Sequence, residues 1–214
     1  VGRNFDFFAG DDFARNKIVC FTNPKRGNKY AYVTWAGFTG VVSGMNDKGL
    51  TVTINASKSD IPKSAATPIS ILAKEILQYA STIEQAYAIA LKRQTFVSES
   101  ILIGSARDKK TASIEKTPTK TNLYTEDGSQ LICSNNFRSK LFETDYINNK
   151  NIIESSSLYR YNRMKQLLSE TQVFTPEKVA AVLRNQKGIN NSEIGLGNEK
   201  GINQLIAHHA VIFK

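Results

Sequence analysis

Cysteine is scarce in this chain, with Cys20 and Cys133 the two copies among 214 residues. Two thiols so far apart make neither a disulfide framework nor a metal-ligand set, and they leave the redox compartment undetermined. Histidine is equally rare, and its two copies, His208 and His209, are neighbours. Adjacent residues on a strand point to opposite faces, so one packed and one exposed ring is expected rather than a metal pair. Long apolar runs are missing too. The hydrophobic stretches are short and broken by charge, so no segment is expected to span a bilayer and none reads as a signal peptide. The Gly195-Leu196-Gly197-Asn198-Glu199-Lys200-Gly201 stretch lacks the dinucleotide-binding spacing and follows no strand. No metal or redox cofactor is expected.

Basic residues are plentiful but unclustered. Lys and Arg number 28 against 19 Asp and Glu, a formal charge of +9, yet the longest basic run is Lys109-Lys110. No basic helix and no stacking-aromatic motif accompanies that charge, so it reads as a solvated basic surface, with no nucleic-acid partner. Hydrophobic residues make up 41% of the chain, enough for one sizeable core, and no linker divides it. One domain over residues 1–214 is therefore expected.

Strand signals come first. The opening Val1-Gly2-Arg3-Asn4-Phe5-Asp6-Phe7-Phe8 places a guanidinium and a carboxylate three apart in an otherwise apolar strand. Such residues face opposite sides of an ideal sheet, so the charges either are solvated or line a polar cleft. Lys17–Phe21 reads as a short buried strand. Tyr30–Trp35 and Phe38–Ser43, rich in aromatic and β-branched residues, follow, with a turn over Met45–Gly49. Leu50–Asn55 alternates as a half-buried strand. Helices are expected after Thr67-Pro68, with Pro68 at the first helical position, and from a Ser81/Glu84 capping box. Strands return at Ile101–Gly104, Ala112–Glu115 and Asn122–Tyr124, with a hairpin turn over Glu126–Gly128 into Gln130–Cys133. Helices over Leu158–Leu168 and from Thr175-Pro176, a Gly- and Asn-rich loop over 186–203, and a strand over Leu205–Phe213 complete the chain. That order suits two antiparallel sheets with helices outside, a layered α+β fold.

Four polar features stand at strand ends or turns: Arg3 with Asp6, Asn55, Ser134-Asn135-Asn136, and Arg160 in Ser155-Ser156-Ser157-Leu158-Tyr159-Arg160. Singly, Asn55 reads as a turn residue, Asn135 as an Asx turn and Arg160 as an exposed helix residue. Cys20 and Cys133, in apolar strand contexts, read as buried structural thiols.

Taken together and in order, Gly2-Arg3-Asn4-Phe5-Asp6-Phe7, Ser43-Gly44-Met45-Asn46-Asp47-Lys48-Gly49-Leu50 with Asn55, Cys133-Ser134-Asn135-Asn136 and Ser-Ser-Ser-x-x-Arg carry a resemblance over nearly the whole chain. It resembles the cysteine-type N-terminal-nucleophile hydrolases, the linear-amide C–N hydrolase group. That group includes penicillin V acylase, choloylglycine hydrolase, acid-amidase relatives and acyl-coenzyme A:6-aminopenicillanate acyltransferase, and the likeness leans to the last. The resemblance implies an αββα sandwich and a small acyl amide or thioester as substrate. It implies Arg3 beside the catalytic thiol, Asp6 orienting the nucleophile's α-amino group, Asn55 and Asn135 stabilising the oxyanion, and Arg160 as a second active-site arginine. Trp35 and Phe38 are candidates for an acyl pocket, with core packing the competing account. The family's nucleophile is an N-terminal Cys on a strand preceding Arg3, upstream of Val1, and the C-terminal strand stops without a turn; both ends are expected to be incomplete. Asn136 stands where relatives often carry His. A homo-oligomer or an association with the absent N-terminal segment is compatible with the sequence, as is a binding module that keeps the fold without the nucleophile.

Overall fold

In the computed structural model, which describes residues 1–8, 10–60, 64–128, 130–171 and 173–214, the β-branched and aromatic runs pair into antiparallel ladders. The strands are β1 (Gly2–Asp6), β2 (Lys17–Thr22), β3 (Tyr30–Trp35), β4 (Ser43–Asn46), β5 (Leu50–Ala56), β6 (Glu99–Ser105), β7 (Lys110–Lys116), β8 (Thr121–Tyr124) and β9 (Ala207–Ile212). The helices are α1 (Ile69–Tyr79), α2 (Ile83–Lys92), α3 (Tyr146–Glu154), α4 (Ser157–Ser169) and α5 (Pro176–Leu183). Two units are distinguished, one of Val1–Arg15 with Ile152–Lys214 and one of Asn16–Asn151.

In the Asn16–Asn151 unit, β2 to β8 form one seven-stranded meander in sequence order. Helices α1 and α2 pack on it, α1 against β4 and β5, α2 against β6 and β7. The apolar stripe of α1, Ile69, Leu72, Ala73, Ile76 and Leu77, is buried, and each large member stabilises the fold by roughly 1.5–3 kcal/mol. Strand β5 is buried without interruption from Leu50 through Ile54, so its Thr51 and Thr53 lie inside rather than facing water as alternation predicts.

Other expectations shift by a residue or an element. Strand β2 is an edge strand, not a buried one: Val19 is 59% and Phe21 85% exposed. A short apolar run does not tell an edge from a core position. The Phe38–Ser43 strand is instead a loop, drawn in by Thr34 Oγ1 donating to Phe38 O at 3.1 Å, and the strand begins at Ser43. Pro68 is the cap residue of α1 rather than its first helical residue. The α2 cap is Thr82, whose hydroxyl accepts from Gln85 N at 3.2 Å, while Gln85 Oε1 accepts from Ser81 N at 2.7 Å. The capping pair is therefore Thr82/Gln85, one residue on from the Ser81/Glu84 pair, with Gln85 reaching back to the residue before the cap. Gln130–Cys133 forms no strand, and Ser129, beside the expected hairpin turn, lies outside the described residues.

The Ser43–Leu50 motif has a structural explanation centred on Asn46. Its buried Oδ1 accepts from Lys48 N at 3.1 Å and Leu50 N at 3.0 Å, closing the turn. Its Nδ2 donates to Leu77 O and Ala80 O, both at 2.8 Å, satisfying the last carbonyls of α1. Gly44 lets α1 approach β4, since a Cβ there would sit 2.5 Å from Leu77 Cδ1 and 2.9 Å from Ala31 O. Asn46→Ala is expected to cost about 2–3 kcal/mol in a urea titration, because it strands buried donors and acceptors together. A variant as stable as the wild type would sink that account.

In the other unit, β1 pairs with β9 and α5 packs on both. The register runs from Gly2 opposite Ile212 to Phe5 opposite His209, then slips so that Asp6 faces Ala207. The irregularity overturns the expected division of the histidines. Both rings are half-buried against Phe5, His209 stacked at 5.4 Å and His208 tilted at 6.1 Å.

Candidate functional site

Three of the predicted residues converge in the Val1–Arg15 and Ile152–Lys214 unit. Arg3, buried on β1, lays its guanidinium 4.4 Å from the Phe5 ring centroid, as residues two apart on one strand face allow, and its Nε donates to Asn4 O at 3.1 Å. Asp6 closes the strand at the bulge, a place where pairing irregularity re-aims a side chain. Burial pushes the Asp6 carboxyl up from the ordinary carboxylate range, while the charges of Arg160, Arg3 and His208 pull it back. Its Oδ1 is buried and has no hydrogen-bond partner among the described residues. Arg160, on α4, is half-buried and donates through Nη1 to Glu199 O at 2.7 Å. Burial lowers its guanidinium from its usual value, and Asp6 and Glu199 oppose that.

Asn4 explains why β1 holds its place between these charges. Its Nδ2 donates to Leu183 O at 2.7 Å, at the end of α5, and to Ile202 O at 3.0 Å. The side chain satisfies one orphan carbonyl of a helix end and one of a loop, so the strand between Arg3 and Asp6 is pinned by hydrogen bonds.

The other unit gathers Asn55 and Asn135. Asn55 lies near the end of β5, opposite Ser100 of β6, which in turn faces Glu115 of β7. Directly opposed residues share a sheet face, so these three form a polar row across the strands. Asn55 Nδ2 donates to Cys133 Sγ at 3.4 Å, and Asn135 Nδ2 donates to Ala56 O at 3.0 Å. Neither cysteine fits the expectation of a buried strand thiol. Cys133 is half-buried on an irregular segment against a side-chain amide, and Cys20 is half-buried on edge strand β2.

Sequence reasoning missed what holds the Cys133–Ser139 segment. Asn151 Nδ2 donates to Asn135 O at 2.7 Å, and Asn148 accepts from Phe137 N at 2.9 Å while donating back to Phe137 O at 3.3 Å. Both lie on α3. Glu115, 1% exposed, accepts from Arg138 N at 2.5 Å and from Ser139 N at 3.2 Å. Burial pushes its carboxyl up, and these hydrogen bonds restrain the rise. A carboxylate in the otherwise buried Ala112–Glu115 run was the available signal, since such a charge needs donors. Glu115→Ala is expected to lose about 2–4 kcal/mol, leaving two buried N–H groups unmade and a void behind them. Thermal unfolding at matched pH reads this, and an unchanged midpoint would show that the segment does not depend on Glu115. Asn136 is buried, accepting from Ser134 Oγ at 2.9 Å and donating to Phe137 O at 3.2 Å.

Trp35 is buried and Phe38 partly exposed, their rings edge to face at 6.1 Å. Among the described residues no group of three or more His, Cys, Asp or Glu is placed to hold a metal, and no helix is long and apolar enough to cross a membrane.

Comparison with known proteins gives these arrangements a context. No curated protein sequence matches the chain. Among solved structures, the N-acylethanolamine-hydrolyzing acid amidase ortholog of Caenorhabditis elegans superposes with a TM-score of 0.62 at 20% identity, over 86% of this chain and 79% of that one. A conjugated bile acid hydrolase variant from Clostridium perfringens gives 0.47 at 16% identity, over 94% of this chain and 61% of that one. The penicillin V acylase of Agrobacterium tumefaciens gives 0.39 at 19% identity, over 57% and 44%. The chain thus spans less than two thirds of the two bacterial enzymes. The fold is that of the N-terminal-nucleophile hydrolases, classed as an αββα sandwich. The family model of acyl-coenzyme A:6-aminopenicillanic acid acyl-transferase matches residues 1–203, and the chain belongs to that family.

Proposed function

We propose that the full-length protein hydrolyses a linear amide or transfers its acyl group, through an acyl-enzyme on a cysteine N-terminal to Val1, with residues 1–214 acting as one catalytic domain. Family membership supports amide hydrolysis or acyl transfer in general. The observation that carries the reading is Asp6: a buried carboxylate with an acceptor oxygen unmet among the described residues, lying in the fields of Arg160 and Arg3. An α-ammonium or α-amino group is the donor that such an oxygen suits, as the resemblance implies. Neither Cys20 nor Cys133 carries a free α-amine to serve as its own base.

In this reading the thiol gives its proton to the α-amine that Asp6 orients, helped by the Arg3 cation, which favours thiolate. Sulfur attacks the carbonyl carbon and the C–O π electrons move to oxygen, where Asn55 and Asn135 donate. Collapse of the adduct expels the leaving amine or thiol, which takes up the proton held by the α-amine. Water or an acceptor amine then attacks the thioester, restores the thiol and releases acid or new amide. Arg160 sets the charge around Asp6. The substrate is a small acyl amide or thioester.

The test uses the full-length protein. N-terminal sequencing and intact mass establish whether a Cys-initiated chain is made, and a panel of acyl amides and thioesters then probes it. An acyl mass increase on that cysteine, followed by turnover, supports the proposal. No adduct and no turnover across the panel would instead favour a ligand-binding module. Partitioning of the acyl group between water and added amine separates hydrolase from transferase.

A further inference from the structure

Arg163 is 0% exposed and, among the described residues, has no carboxylate partner. Its guanidinium spends its donors on neutral amide oxygens: Nε on Asn185 Oδ1 at 3.2 Å, Nη1 on Gln166 Oε1 at 2.9 Å and Nη2 on Asn191 Oδ1 at 2.7 Å. Taking a cation out of water is costly, and a neutral side chain of similar size would fill the space without that cost. What arginine alone supplies is a rigid fork that can grip several acceptors at fixed angles.

Two of those acceptors, Asn185 and Asn191, begin the segment that follows α5, and the third, Gln166, is one turn along α4 itself. Asn190 and Asn191 sit at φ 56° and 59°, a left-handed pair that side chains other than glycine seldom adopt without support. Gln166 adds to the grip, accepting from Asn190 N at 3.0 Å, and the Tyr159 hydroxyl accepts from Ile189 N at 3.0 Å. Asn185 O accepts from Asn203 N at 2.9 Å, so the start of the segment is tied to its end. Between them lies Glu199, whose carbonyl accepts from Arg160 at 2.7 Å and from Gln204 Nε2 at 3.2 Å. Arg160 and Arg163 are three apart on α4, on one helix face.

We infer that Arg163 is a positioning residue: by clamping Asn185 and Asn191 to α4 it fixes the 185–204 loop, and that loop presents the Glu199 carbonyl that holds Arg160 beside Asp6. The catalytic consequence rests on the function proposed above; the placement of Arg160 does not, and it is read separately.

Asp6 reports that placement. Among the described residues the charged and titratable groups that face it are Arg160 on α4, Arg3 on its own strand and His208 on β9, while α5 presents apolar Val179 and Leu183 to β1; in the full-length protein the proposed function adds the nucleophile's α-amino group, common to wild type and variants. In the full-length protein labelled with ¹³C at aspartate, Arg163→Gln and Arg163→Lys are compared with Arg160→Gln. Both Arg163 variants are expected to move the Asp6 carboxyl titration upward, as Arg160→Gln does, because the cation that pulls it down has drifted away. Lysine keeps the charge but not the fork, so it should not rescue. Combining Arg160→Gln with Arg163→Gln should move Asp6 no further than Arg160→Gln alone. The acidic limb of kcat/KM should shift in the same direction, with a loss of about 10- to 100-fold, the scale of a displaced positioning group. Asn191→Gly, which removes one acceptor and tolerates the positive φ, should give a smaller shift of the same sign and carries the test should both Arg163 variants fail to fold. An Asp6 titration unmoved in folded variants, with only a lower unfolding midpoint, overturns the inference and leaves Arg163 a structural residue. So does a lysine variant indistinguishable from wild type. A wild-type protein that turns over no acyl amide refutes the proposed function, while the Asp6 titration still decides the role of Arg163.

Discussion

Asp6→Asn is expected to make residues 1–214 more heat-stable at neutral pH and, in the full-length protein, to lower kcat/KM on an acyl amide by roughly 100- to 1,000-fold. The two effects have one cause. Burial pushes the Asp6 carboxyl above its usual range, and the opposing charges of Arg160, Arg3 and His208 do not undo it. A carboxyl raised in the folded state binds its proton more tightly there than in the unfolded chain. Ionising it therefore opposes folding: the penalty is absent below the ordinary carboxylate range and grows as pH rises through the folded value. Asparagine cannot ionise and escapes the penalty, yet it offers one oxygen where the carboxylate offered two. The gain in midpoint should be present at neutral pH and vanish in acid. A variant that is less stable at every pH, or that keeps wild-type turnover, would mean that Asp6 is an ordinary strand-end charge. A stabilising substitution that abolishes activity is the mark of a residue held for chemistry rather than for folding.

How much of this could be read from the sequence depends on how each residue meets its needs. Arg3 and Asp6 drew notice because charges in an apolar strand are either solvated or need partners, whereas Arg160 read singly as an exposed helix residue and was marked by the family motif; the structure gathers all three. Asn46 lay in a motif that looked like turn chemistry; its second task, capping α1 from another element, has no local signature. Helix α3 was missed because its buried residues are Asn148 and Asn151, so it shows no apolar stripe to find. Strand β2 reads as an inside strand because Ile18, Val19 and Phe21 resemble core residues; nothing local says that it lies at the edge of the sheet formed by the described residues. The bulge beside Asp6 is likewise a product of pairing with β9, two hundred positions away, and it resets the alternation on which the facing of both histidines was reasoned. Local preferences were legible; partners supplied from far along the chain were not.

Asn55→Ala is expected to lower kcat by about 100- to 1,000-fold, the cost of one oxyanion donor, or about 3–4 kcal/mol of barrier. Its effect on KM should be small, because the donor meets charge that exists only as the carbonyl is attacked. Stability should fall by no more than about 1 kcal/mol, since among the described residues Asn55 gives one hydrogen bond, to Cys133 Sγ at 3.4 Å. Thioether and thiol sulfur accept weakly, and an amide nitrogen carries two N–H groups. Asn55 is thus oriented by a partner that leaves a donor available and competes poorly for the other. Two further variants separate orientation from chemistry. Asn55→Asp keeps the shape but turns donor into anion, and should be slower than Asn55→Ala because it repels the developing oxyanion. Cys133→Ala removes the weak acceptor together with the long thiol contact to Ser134 O at 3.7 Å, and should cost less than about 10-fold, the scale of a slightly misplaced donor rather than a missing one. Steady-state kinetics on the full-length protein reads all three. Normal kcat with raised KM in Asn55→Ala would make Asn55 a ground-state contact. A Cys133→Ala enzyme as slow as Asn55→Ala would place the thiol itself in the reaction, and the oxyanion assignment of Asn55 would then have to be given up.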